Sequence, residues 1–170
     1  HEDPRRQRQM CIRDRSEENF IDTQALGEPW DRYHHFIDNR VTKIGDWYYI
    51  VTPVMVQGFD SPIGMLGRTK DFKSYERIET ITQPKNRGAS LFPEKINGEY
   101  YKLDRPGGGD GGDGDIWISS SPDLVHWGAF KPVLAAGYRF WNVQKIGPTP
   151  PIKTEPVSYT HLTLPTRIFV

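Results

Sequence analysis

Apolar and polar positions fall in short runs broken by glycine, asparagine and proline, and few stretches keep the spacing of an amphipathic helix. The runs repeat. K-I-G-D-W-Y-Y-I from Lys43 to Ile50 parallels K-I-N-G-E-Y-Y-K from Lys95 to Lys102, an offset of 52 residues. M-L-G-R-T-K-D-F-K-S-Y from Met65 to Tyr75 parallels W-I-S-S-S-P-D-L-V-H-W from Trp117 to Trp127 at the same offset, so that Asp71 answers Asp123 and Tyr75 answers Trp127. A third start, Q-K-I-G, lies around Lys145.

Each unit predicts the same series of strands. A strand ends at a tight turn, Gly45-Asp46 or Asn97-Gly98, where positive φ is cheap. A β-rich strand follows, Trp47–Val56 in one unit and Glu99–Leu103 in the other. A short strand comes next, Gly64–Arg68 or Asp115–Ser120. An S-x-D-L-x-x-W type turn then uses its aspartate to accept backbone N–H bonds while its aromatic ring packs between sheets. An outer strand closes the unit, Glu76–Thr80 or Pro132–Leu134. A period of about 50 residues with four strands is that of propeller blades.

The two ends lack this pattern. The first fifteen residues and the last fifteen can be back-translated into complementary codons: Met10 as ATG faces His161 as CAT, Cys11 as TGT faces Thr160 as ACA, and Gln7 as CAG faces Leu164 as CTG. The sequence therefore predicts adapter-derived, non-native tails at 1–15 and 156–170, around a partial domain at 16–155. Glu2-Asp3-Pro4-Arg5 falls in the first tail.

Charge and cysteine content change with that division. The whole chain of 170 residues carries 22 basic and 22 acidic side chains and one cysteine. Without the tails it is slightly acidic and cysteine-free, with neither a disulfide framework nor the positive excess of a nucleic-acid or anionic-membrane binder. No run approaches the roughly 18 apolar residues of a membrane span.

Propeller ligands sit at the central channel, so the polar residues beside the first strands carry the candidate chemistry. Asp38-Asn39-Arg40, Asn86-Arg87-Gly88 and Asp104-Arg105-Pro106 offer carboxylates and guanidiniums suited to hydroxyl-rich or anionic ligands. Spacing alone serves solvated turn charges equally well. Glu94-Lys95 reads as a structural pair. His34-His35 reads as a loop pair, since adjacent side chains point apart and no third ligand is near. G-G-G-D-G-G-D-G-D from Gly107 to Asp115 lacks the lysine of a P-loop and the closing glutamate of a calcium loop, and reads as a flexible connection. Trp47, Trp117, Trp127 and Trp141 read as packing between sheets.

Three segments together, L-F-P-E-K-I-N-G-E-Y-Y-K-L-D-R-P (Leu91–Pro106), D-I-W-I-S-S-S-P-D-L-V-H-W-G (Asp115–Gly128) and K-I-G-P-T-P-P-I-K-T-E (Lys145–Glu155), resemble glycoside hydrolase family 130. That family holds β-mannoside phosphorylases and β-mannosidases on a five-bladed β-propeller. The resemblance implies an all-β fold, with two to two and a half of the five blades in this chain. Its E-D-P-R signature aligns with Ile37-Asp38-Asn39-Arg40, which implies Asp38 as proton donor and Arg40 as a sugar ligand.

The phosphorylases place a lysine before L-F-P-E and a histidine after it, both on phosphate, where this chain has Arg87 and Asp104. Arg68 is a further phosphate candidate, and Arg105 lies with Asp104 around the sugar. An anion at Asp104 opposes phosphate and leans towards hydrolysis, with that carboxylate positioning water. The resemblance thus implies cleavage of β-mannosidic bonds in mannose-containing oligosaccharides, by inverting phosphorolysis to mannose 1-phosphate or by hydrolysis. It implies no cofactor or metal, inorganic phosphate being a co-substrate for a phosphorylase. The alternative is a non-catalytic sugar-binding propeller. A cytoplasmic location, no nucleic-acid or membrane partner, and a homo-oligomer of the complete enzyme complete the expectations, and the piece alone is expected to be inactive.

Overall fold

The structure is a computed structural model, and it describes residues 33–34, 38–56, 61–107, 114–135, 146–153, 158–159 and 162–163. All regular elements among these are strands; there is no helix. The first sheet contains β1 (Tyr33–His34), β2 (Arg40–Ile44), β3 (Trp47–Val56), β4 (Pro62–Thr69) and β5 (Glu76–Thr80). From β2 to β5 it runs as an antiparallel meander, and β1 pairs with the far end of β3 on the edge that β2 also uses. The second sheet is the meander β6 (Asn86–Leu91), β7 (Tyr100–Pro106), β8 (Ile116–Ser121) and β9 (Gly128–Leu134).

Beyond these sheets, β10 (Gly147–Pro148) pairs with β13 (Leu162–Thr163), and β11 (Ile152–Lys153) with β12 (Ser158–Tyr159). β10 falls at the expected third start of the repeat. His34 lies in a strand, not a loop; His35 and Trp141, and most of the glycine-rich Gly107–Asp115 segment, lie outside the described residues.

The 52-residue repeat is reproduced in register. Tyr48 faces Thr69 as Tyr100 faces Ser121, and Thr52 faces Met65 as Asp104 faces Trp117. The hairpin turns follow from their residues: Gly45 has φ 59°, and Asn97 and Gly98 have φ 52° and 85°, the two positive values of a type I′ turn. The aspartate turns match closely as well. Asp71 Oδ1 accepts from the backbone N–H groups of Lys73 and Ser74, each at 2.9 Å, and Asp123 Oδ1 accepts likewise from Val125 and His126. In both turns a hydroxyl, Thr69 or Ser121, accepts the N–H of a residue held at positive φ, Phe72 or Leu124. Those bonds hold each carboxyl below the usual range for aspartate.

The core lies between the two meanders. Tyr49, Val51 and Leu66 of the first pack with Ile81, Ala89, Leu91 and Leu124, and Trp47 and Trp127 close the edges as expected. A second cluster, Leu103, Ile116 and Ile146, carries packing from the second meander to the segment leading into β10. Three successive units are thus in contact, and their first strands converge.

Candidate active site

At that convergence lies a cleft of about 160 Å³ lined by Asp38, Arg40, Arg87, Gly88, Arg105, Gly147 and Pro148. Asp38 stands just before β2 with φ 58°, a left-handed conformation that aspartate tolerates better than most residues. Arg40 is held at two points. Its Nη1 donates to the Asp38 carbonyl at 2.9 Å and its Nε to the Pro148 carbonyl at 3.0 Å, tying the first unit to the third.

On β6 the pairing with β7 shifts between Asn86 and Ala89, so Arg87 and Gly88 escape the regular ladder beside the cleft. A Cβ at Gly88 would lie 3.3 Å from Pro148 Cδ, so the bare backbone there allows β10 to close the wall. Arg105 projects from β7, partly buried. Burial lowers its guanidinium below the ordinary range; the Asp38 carboxylate opposes that shift, while Arg87 and Arg40 add to it. Four sequence candidates, Asp38, Arg40, Arg87 and Arg105, therefore share one cleft.

The other two lie elsewhere. Asp104 is next to Arg105 in sequence but points to the opposite face of β7, towards the first meander. It is 2% exposed, and its carboxylate is filled: Lys102 Nζ pairs with Oδ2, Ser119 Oγ donates to Oδ2 at 3.1 Å, and Asn86 Nδ2 donates to Oδ1 at 3.1 Å. Lys102 is itself 1% exposed, and burial lowers its ammonium below the usual range against the opposing pull of Asp104. An anion so paired neither repels phosphate in the cleft nor reaches a water there, which removes the reason for preferring hydrolysis.

Arg68 forms a bidentate pair with Glu76, both bonds at 2.8 Å, on a separate groove with Tyr49, Arg77, Ile78, Asp123 and Leu124. That pairing raises the guanidinium and lowers the carboxylate relative to their ordinary values. Glu94 pairs with Lys153 at 2.9 Å, whereas Lys95 reaches the Pro122 carbonyl and the Tyr100 ring; the two do not pair with each other. Among the described residues no three His, Cys, Asp or Glu side chains form a metal-sized group, and no helix is long and apolar enough to cross a membrane. Sequence reading missed Gly147 and Pro148, although the third K-I-G start was their signal.

A family model described as beta-1,4-mannooligosaccharide phosphorylase, that of glycoside hydrolase family 130, matches residues 12–164. The chain belongs to glycoside hydrolase family 130. The family 130 chain is 38% identical over 141 residues to the beta-1,2-mannobiose phosphorylase of Listeria innocua, a match covering 79% of this chain and 38% of that protein. It is 38% identical over 139 residues to the beta-1,4-mannooligosaccharide phosphorylase of Ruminococcus albus, covering 79% and 40%.

Among solved structures, the beta-1,2-mannobiose phosphorylase from Listeria innocua in complex with beta-1,2-mannobiose superposes with a TM-score of 0.69 at 37% identity, over 78% of this chain and 37% of that one. A glycosyl hydrolase from Bacteroides ovatus, 14% identical with a TM-score of 0.57, shares the fold. The family 130 chain spans less than half the length of these curated relatives.

Proposed function

We propose that this chain is part of a five-bladed β-propeller enzyme that cleaves β-mannosidic bonds of mannooligosaccharides by inverting phosphorolysis. The observation that carries the reading is the composition of the cleft: three guanidiniums and one carboxylate among its described lining residues. An inverting hydrolase needs two carboxylates, one as acid and one to activate water. Here one carboxylate stands with a cationic surplus suited to an oxyanion, and phosphate brings its own nucleophilic oxygen.

In the proposed reaction Asp38, as the acid, gives its proton through a sugar hydroxyl to the glycosidic oxygen. A phosphate oxygen held by Arg87 and Arg105 attacks the anomeric carbon from the opposite side, and the bond to the leaving sugar breaks. Mannose 1-phosphate and a shortened sugar result. Arg40, fixed between Asp38 and Pro148, holds the sugar against the acid. The relatives named as mannoside phosphorylases support this reading.

The test is product analysis on the complete enzyme carrying this sequence. With β-1,2- or β-1,4-mannobiose it is expected to form mannose 1-phosphate only when inorganic phosphate is added. Free mannose as the sole sugar product, at a rate indifferent to phosphate, overturns the proposal.

A further inference from the structure

The pairing of Lys102 with Asp104 has no counterpart in the other unit. At the repeat offset their places are taken by Ile50 and Thr52, each 1% exposed, on a strand with the same register. The fold therefore builds this position without charge. Two ions beneath β7 cost desolvation that an apolar pair avoids, so stability does not account for them.

Their connections run to the cleft. Asp104 immediately precedes Arg105, and its Oδ1 accepts from Asn86, which immediately precedes Arg87. The Asn86 Oδ1 in turn accepts from the N–H of Gly88 at 3.1 Å, spanning the shift in register that releases Arg87. Ser119 on β8 and the Trp127 ring, 4.9 Å from Lys102 Nζ, enclose the pair. One hydrogen-bonded network thus holds the chain on both sides of Arg87 and the residue before Arg105.

Arg87 and Arg40 repel Arg105, which the Asp38 carboxylate offsets in part, so a stiff backbone beneath the arginines limits their spreading before phosphate binds. Buried, fully bonded polar networks select one arrangement in this way. We propose that Lys102, Asp104, Asn86 and Ser119 are positioning residues that hold Arg87 and Arg105 at phosphate-binding separation. They touch no substrate. The proposal rests on the phosphorolytic reading above.

The test replaces the pair by the residues the first unit uses, in K102I/D104T of the complete enzyme. Expected is a folded protein whose KM for inorganic phosphate rises about tenfold while its KM for the mannoside stays within about twofold and kcat at saturating phosphate within about threefold. A folded variant with an unchanged KM for phosphate overturns the proposal. If that variant does not fold, Asn86→Ala decides by the same measurements, since it removes the bonds to Asp104 and to the Gly88 N–H and leaves the ion pair. If the wild-type enzyme turns over without phosphate, the phosphorolytic reading fails. The positioning role is then judged on the KM for the mannoside, and an unchanged value in both variants overturns it.

Discussion

Arg40 donates from Nε to the carbonyl oxygen of Pro148 at 3.0 Å across 108 positions of chain, while its Nη1 holds the carbonyl of Asp38. A lysine keeps the charge but cannot bridge two fixed carbonyls from one planar group. Arg40→Lys in the complete enzyme is expected to lose about ten- to hundredfold in kcat/KM, in line with one charged hydrogen bond. Steady-state kinetics on mannobiose check this, and a loss of less than about twofold contradicts the bridging role.

Asp38 is the single carboxylate among the described lining residues of the cleft. In the proposed reaction Asp38→Asn preserves shape and removes the donated proton, so kcat is expected to fall by about 10²- to 10⁴-fold, the usual worth of general acid catalysis. Mannobiose affinity, read by calorimetry, should change by less than about threefold. Comparable turnover in the variant would assign the acid elsewhere.

Gly67 sits beneath the Tyr75 ring, where an added Cβ would lie 2.1 Å from both Cζ and the hydroxyl oxygen. The residue is half-buried, and desolvation pushes the phenol up to about 12. Gly67→Ala forces that ring out of its seat and is expected to destabilise by about 1–3 kcal/mol. Denaturant titration of the complete enzyme gives the value, and an unchanged midpoint would show that the ring moves freely.

Asp71 and Asp123 are held below their usual titration range by backbone N–H donors. A depressed folded value means the stabilisation is present above the unfolded value of 3.8 and fades as pH falls below it. Asp71→Ala with Asp123→Ala should therefore lower the melting temperature at pH 7, and the gap to wild type should narrow from about pH 4 downward. A gap that is constant with pH would mean the carboxylates act by shape alone.

The turn chemistry was open to sequence reading because it is local: Gly45, Asn97-Gly98, Asp71 and Asp123 act within a few residues of themselves. The cleft was legible in Asp38, Arg40, Arg87 and Arg105, which stand at or beside strand ends. Asp104 was misplaced because adjacent strand residues face opposite ways, and which face meets the cleft depends on the pairing of β7 with its neighbours. Arg68 was misplaced for a related reason. Its partner Glu76 is eight residues on but directly opposite in the β4–β5 pairing, a relation that only the register reveals. Pro148 closes the cleft through a contact that no short window contains.

The cleft draws its walls from three consecutive units, with Arg40 on the first, Arg87 and Arg105 on the second and Pro148 on the third. An occupant bridging those walls adds cohesion to that already given by apolar packing and by polar ties such as the Arg40–Pro148 bond. Ligation and the mutual docking of units are then one linked equilibrium, so any ligand that fills the cleft acts as a structural staple between them.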